Sequence, residues 1–226
     1  FDGIEAENSS FFLTAGGSVV HGGADPLVLW SFTCDATGTV TLGDAIAGDI
    51  ISISSDAALA VGDLDAGHGI SLNAAGNVVA GNLSVEGIMV SYEDSELYDA
   101  SGYGYDYVSY AYAVPDGWIS LAAGGELSFG DLDAPIGIVT LRPPGAIDLS
   151  SSSVNANRIN ISTGGGLLVG ALSSSQAPVY VTENWCLGGQ IVESYTYESV
   201  QPGEIQLSAP GEIRLTSAIN VQGNFI

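Results

Sequence analysis

Short alternating apolar stretches recur along this chain at a nearly constant step, and that regularity constrains the fold more than any other feature. They are ISI from Ile51, ISL from Ile70, IMV from Ile88, ISL from Ile119, IVTL from Ile138, INI from Ile159, VYV from Val179 and IQL from Ile205, separated by 19, 18, 31, 19, 21, 20 and 26 residues. A longer repeat contains them. At an offset of 68, ISISSDAALAVGDLDAGHGI (51–70) aligns without a gap on ISLAAGGELSFGDLDAPIGI (119–138), with ten of twenty columns identical. Within one step, as in ISLNAAGNVVAGNLSVEG (70–87), the order is strand, Gly or Asn turn, strand, Gly turn. Period-two alternation sends Ile70 and Leu72 to one side of a strand, and the Gly and Asn residues are expected to supply positive-φ corners. No long 3.6-residue apolar stripe is present, and Gly or Pro interrupts the chain every few residues.

One strand set repeated every ~20 residues fits an all-β, right-handed parallel β-helix, a β-solenoid whose coils rise ~4.8 Å apart. A β-sandwich also accommodates short strands separated by turns, but the gapless repeat and the steady step favour the solenoid. The expected organisation is an irregular cap or first coil over 1–38, coils over 39–91, a Tyr-rich insertion over 92–117, coils over 118–184, a second insertion over 185–203 and a terminal coil over 204–226. Pro143 and Pro144 cannot donate to a strand ladder and mark a turn or bulge.

Charge then narrows the function. Against 26 Asp and Glu stand three cationic side chains, Arg142, Arg158 and Arg214, giving a formal net charge of −23. Nucleic-acid binding through phosphate neutralisation needs clustered Lys and Arg, and that class is excluded. The same charge opposes adsorption to anionic membrane surfaces and invites divalent cations or basic partners. No apolar run approaches ~20 residues, so membrane insertion is not expected. The sequence starts at Phe1 without Met or a leader-like segment, which reads as a mature chain or a segment of a longer one. Few charged residues and abundant Gly, Ser and Thr suit a secreted, strand-rich protein, so an extracellular or cell-surface location is expected. Cys34 and Cys186 form no CxxC or Cys/His cluster, which argues against zinc. At least five coils apart, they stand ~25 Å from each other and should not pair.

AGDIISISSDAALAVGDLDAGHGISLNAAGNVVAGNLSVEG (47–87) and GEIQLSAPGEIRLTSAINVQGNF (203–225) resemble the degenerate repeats of filamentous-haemagglutinin-type adhesins, the β-helical exoproteins of two-partner secretion and related autotransporter passengers. The resemblance covers 39–90 and 118–226 outside the insertions. It implies a surface-displayed or fibre-forming bacterial protein used for attachment, with no catalysis.

The two long steps carry most of the aromatic residues. SYEDSELYDASGYGYDYVSYAYAVPDGW (91–118) holds seven of the ten tyrosines, Tyr92, Tyr98, Tyr103, Tyr105, Tyr107, Tyr110 and Tyr112, while ENWCLGGQIVESYTYESVQPG (183–203) holds Trp185, Tyr195 and Tyr197. Both read as loops or hairpins ejected from one edge of the solenoid. Tyr offers a large contact area, a hydrogen-bonding tip and little rotamer entropy to lose, which suits binding loops. Packing of alternate tyrosines on the solenoid flank is the plainer role, and one loop can serve both. The expected partners are a surface glycan or protein receptor, and a homopolymer formed by head-to-tail or lateral association, or else the remainder of a longer adhesin chain. Open strand edges around Ile213 and Ile219 would support head-to-tail growth.

The GDLDA pair, Asp63 with Asp65 and Asp131 with Asp133, is the remaining chemical candidate. Acids two residues apart share a strand face and resemble an acid/base pair of a polysaccharide-acting β-helix enzyme or a calcium-dependent carbohydrate-binding module. With Leu64 and Leu132 pointing into the core, the acids read first as scaffold. Calcium held by carboxylates stacked on consecutive coils is the alternative, and no other cofactor is expected. His21 and His68 stand without a Ser or Asp nucleophile context and are expected to be structural or exposed.

Overall fold

The computed structural model describes residues 5–22, 25–96, 107–187 and 190–225. It is all-β, a parallel solenoid of about seven turns with coils about 20 residues apart, and the β-sandwich is excluded by the parallel registers. Each turn has three sides. A long face carries strands such as Ile50–Ser55, Gly69–Ala74 and Trp118–Ala123. A narrow face carries two-residue strands such as Leu59–Ala60 and Val78–Val79. A third face, here called the ladder face, carries Ala45–Ala47, Leu64–Ala66 and Leu83–Val85.

Stacking like on like builds the core. On the long face Ile51, Ile70, Ile119, Val139, Ile159 and Ile205 fall in one register column, and every one is 0% exposed. Phe32 precedes them in register and stacks on Phe11 of the turn before, ring centroids 5.9 Å apart. In the neighbouring column Leu13 is followed by Cys34, Ile53, Leu72, Leu121, Leu141 and Ile161, and Cys34 is its one polarisable member. It is unpaired, as is Cys186. Burial and the adjacent Asp35 push the Cys34 thiol up to about 11, so it packs as a small apolar group and not as a thiolate. Residues 5–15 belong to this stack as a strand, Glu5–Ala15, parallel to Leu27–Ala36 with a register shift between Ala6 and Ser10.

The register passes over both insertions as if they were not there: Trp118 pairs with Gly69, and Glu204 with Arg158. The insertions are longer than the sequence reading placed them. IMV at Ile88 and VYV at Val179 are not coil strands but parts of Ile88–Glu96 and Ala177–Leu187, which pair antiparallel with Tyr107–Asp116 and Gln190–Gln201. Their alternation is genuine, yet period two is shared by parallel and antiparallel strands and does not tell one from the other.

The glycine expectation also needs correction. Among the described residues Gly87 alone has a positive φ, +78°, at the point where the first hairpin leaves the solenoid. The corner glycines serve close approach instead. A Cβ at Gly62, Gly81 or Gly130 would overlap the side-chain oxygen of Asp44, Asp63 or Asn82 from the turn before.

Candidate functional site

Those three side-chain oxygens answer the GDLDA question. The backbone N–H of Asp63 donates to Oδ1 of Asp44 (2.9 Å), that of Asn82 to Oδ1 of Asp63 (2.7 Å), that of Asp131 to Oδ1 of Asn82 (2.9 Å) and that of Ser153 to Oδ1 of Asp131 (2.8 Å). The two GDLDA motifs are thus two rungs of one corner ladder. Gly makes room, Asp or Asn caps the N–H of the next turn, and the following Leu enters the core. Hydrogen bonds from Ser153 hold the Asp131 carboxyl below its ordinary range. Asp65 and Asp133 project outward, with Ser84 between them in register, and Asp133 accepts from Nδ2 of Asn155 (2.7 Å). Asn82 separates Asp63 from Asp131 and Ser84 separates Asp65 from Asp133, so of the ladder's carboxylates only Asp44 and Asp63 lie on consecutive coils. Among the described residues no group of three or more His, Cys, Asp or Glu side chains is placed to hold a metal.

His68 does not stand alone. Its Nδ1 lies 3.3 Å from Oδ1 of Asp49 and its Nε2 lies 3.4 Å from Oδ2 of Asp116, while Ser31 Oγ donates to the other oxygen of Asp49 at 3.2 Å. Asp116 ends the first hairpin, so this arrangement ties the hairpin base to the coil beneath. Sequence reasoning missed it because a coil and the whole first hairpin separate His68 from the carboxylate that reaches it. His21 is buried at the first turns, 2% exposed.

The aromatic candidates converge instead. The two hairpins, from turns far apart in sequence, join through Tyr107–Asp116 and Ala177–Leu187 into one four-stranded antiparallel sheet. Directly opposed residues in such a sheet share a face. Tyr110, Glu183 and Tyr195 form one cross-strand row, and Tyr112, Val181 and Tyr197 form the next. Trp185 opposes Glu193 and lies on the same face by alternation. Tyr110 and Tyr112 pack with ring centroids 6.2 Å apart. Val181 is buried between its neighbours, whereas Tyr195 and Tyr197 are 56% and 50% exposed. Tyr195 donates its hydroxyl to Oε2 of Glu193 (3.0 Å), and this bond to the carboxylate raises the phenol's pKa. The opposite face carries polar contacts, with Thr182 and Thr196 3.0 Å apart and Ser194 donating to Oδ1 of Asn184 at 2.7 Å, together with Tyr180, which is exposed.

Of the sequence candidates, Tyr110, Tyr112, Trp185, Tyr195 and Tyr197 thus share one face. Tyr107 is placed only by its backbone register with Cys186, and Tyr98, Tyr103 and Tyr105 lie outside the described residues. Sequence reasoning missed the join between the hairpins, since cross-strand pairing over some 70 residues leaves no spacing to read. It also missed Glu183 and Val181.

The chain matches no protein-family model, no curated protein and no solved structure. The solenoid agrees with a β-helical repeat protein, and the adhesin resemblance rests on the repeat stretches themselves.

Proposed function

We propose that the protein is an extracellular, non-catalytic adhesive solenoid of bacterial surface or fibre type, in which the coils form the rod and the four-stranded sheet meets the partner. The carrying observation is that Tyr110, Tyr112, Trp185, Tyr195 and Tyr197, contributed by two separate insertions, gather on one face of a sheet across whose roots the solenoid register runs on unbroken. Clustered Tyr and Trp, large in area and tipped with hydrogen-bonding groups, suit a surface glycan or protein receptor. The absence of catalysis is supported by the employment of the acids: Asp63 and Asp131 are occupied as ladder acceptors, and both imidazole nitrogens of His68 face carboxylates. Association into a homopolymer, or continuity with a longer adhesin chain, belongs to the same reading. Ile213 and Leu215 on the last turn are 40% and 51% exposed, where another coil would cover them.

The test is attachment of protein-coated beads to cell layers and matrix-coated surfaces. Tyr195→Ala with Tyr197→Ala should leave the circular dichroism unchanged and weaken attachment by the ~2 kcal/mol or more of an interface hot spot. Undiminished attachment by the double variant would remove the sheet from the reading.

A further inference from the structure

A second site lies on the long face of the last turns. Its outward side chains stand in columns. One runs Phe12, Thr33, Ser52, Ser71, Ser120, Thr140, Asn160, Gln206, so that every member after Phe12 carries a hydroxyl or an amide. At its C-terminal end the column opens into a groove of about 440 Å³ lined by Thr140, Arg142, Asn160, Ser162, Gln206 and Ser208. Arg142 stands two residues along the strand from Thr140 on one side. Arg158, in register with Ile138, stands two residues from Asn160 on the other. The central column is thus flanked by an arginine on each side, on successive turns, their Cα atoms roughly 14 Å apart by strand geometry.

These two arginines are unpaired in a chain where acids outnumber cations 26 to 3. Among the described residues the only ion pairs are those of His68. Glu204 is the register neighbour of Arg158 yet makes no ion pair with it, and the buried Nε of Arg158 has no hydrogen-bond partner. A protein with so many carboxylates has every opportunity to neutralise its guanidinium groups internally. Leaving two of them free on one face, on either side of a row of neutral donors and acceptors, is the arrangement that an external anion with many hydroxyls would complete. Guanidinium forks match carboxylates in a bidentate fashion, while Ser, Thr, Asn and Gln offer both donors and acceptors to hydroxyls. Glu204 stands beside Arg158 on this face, and the negative charge of the other faces is screened within ~8 Å at physiological salt, so the two guanidinium groups outnumber the one neighbouring carboxylate.

We propose that a linear acidic oligosaccharide of uronic-acid type binds along this groove and past its edge, with Arg142 in the groove and Arg158 beyond it taking its carboxylates and Thr140, Asn160 and Gln206 its hydroxyls. Binding is non-covalent, and the repeated column gives the sugar chain an extended bed along the solenoid. The site is independent of the aromatic sheet, so either can fail without the other.

The experiment is calorimetric titration of the full chain with hexameric oligogalacturonate, in the presence of a chelator so that calcium cannot bridge carboxylates. The methyl-esterified hexamer and sodium sulfate serve as comparison probes. The hexamer should bind, the ester should bind at least ~10-fold more weakly, and sulfate at equal concentration should not displace the hexamer. Arg142→Gln, at an exposed position, and Arg158→Gln should each weaken hexamer binding by about tenfold, ~1.4 kcal/mol, with unchanged circular dichroism, whereas Tyr195→Ala with Tyr197→Ala should leave it unaltered. The proposal is overturned by no binding at millimolar hexamer, by equal affinity for the ester, by full competition from sulfate alone, or by an Arg142→Gln protein that binds like the parent.

Discussion

The coils and the hairpin sheet are built from the same kind of strand and end with opposite degrees of burial. Six aliphatic residues in one solenoid column are 0% exposed, whereas in the outer hairpin strand, Gln190–Gln201, every residue but the last is exposed, including Ile191, Val192, Tyr195, Tyr197 and Val200. A coil is covered by the coils above and below, so its inward residues are held on all sides and its sequence is pinned. The hairpins are covered mainly by each other. A lone two-stranded hairpin is marginal in water, and three or more strands with an apolar face are needed for stability. Each hairpin therefore depends on its partner, while the solenoid depends on neither. A region under so little packing constraint can vary its outward residues, which is what a recognition surface requires.

The sharpest way to break this contrast is to cut one buried aliphatic side chain from each region. Ile119→Ala removes a fully buried side chain from the middle of the aliphatic column, where the neighbouring rungs cannot collapse inward, and should cost ~2–5 kcal/mol of global stability. Val181→Ala, in the sheet, should loosen only the hairpins and leave the coil transition in place. Urea unfolding followed by far-ultraviolet circular dichroism reads the first, and fluorescence of Trp185, in a background with the coil tryptophans Trp30 and Trp118 replaced by Phe, reads the second. Equal shifts of one common transition would show that coils and sheet are a single cooperative unit.

Removing a hairpin outright separates the regions further. Gly87 and Gly117 are already neighbours, since a Cβ at Gly117 would stand 2.8 Å from the Gly87 Cα. Deleting 88–116 and joining the two glycines directly should therefore leave the coils folded, because their register is continuous there. The second hairpin, stripped of the central strand it pairs with, should lose its order, and limited proteolysis should cut within 177–201 in the deletion protein but not in the parent. Loss of the solenoid's own circular dichroism on deletion would mean that the hairpins support the coils after all.

How much of this could be read in the sequence follows from the range of each interaction. The coils were legible because a solenoid residue meets its equivalent one step away, so Ile51 with Ile70, and again Ile119, Val139 and Ile159, announce the column through spacing alone. The GDLDA motif was legible as scaffold, but its function was hidden by comparing only the two most similar rungs. Asp44, Asp63 and Asn82 lie 19 apart and show the ladder once Asn is admitted beside Asp. The 68-residue repeat is two coils plus a hairpin and has no structural meaning of its own. The union of the hairpins and the reach of Asp116 to His68 were not legible, since both cross an insertion whose length is unrelated to the contact it makes.

The ladder supplies the finest test, because it isolates one feature that the coils possess and the sheet lacks. In Gly81→Ala the new methyl group would occupy the position of Asp63 Oδ1, which accepts from the N–H of Asn82. The carboxylate must swing away, and the cost is one exposed backbone hydrogen bond together with local strain, on the order of 1 kcal/mol. Asp63→Ala forfeits the same hydrogen bond by removing the acceptor, and should cost a similar amount. Combining them gives the discriminating result. With the carboxylate gone, the methyl group meets no side chain from the turn before, and the overlap with its oxygen disappears. The double variant should therefore be no less stable than Asp63→Ala beyond a few tenths of a kcal/mol, a coupling visible in a double-mutant cycle of urea midpoints. Strict additivity of the two losses would mean that the clash with the Gly62 and Asp63 backbone, which also approaches Gly81 to 2.8 and 2.9 Å, dominates. The glycine would then be required by the tightness of the corner itself and not by the side chain laid across it.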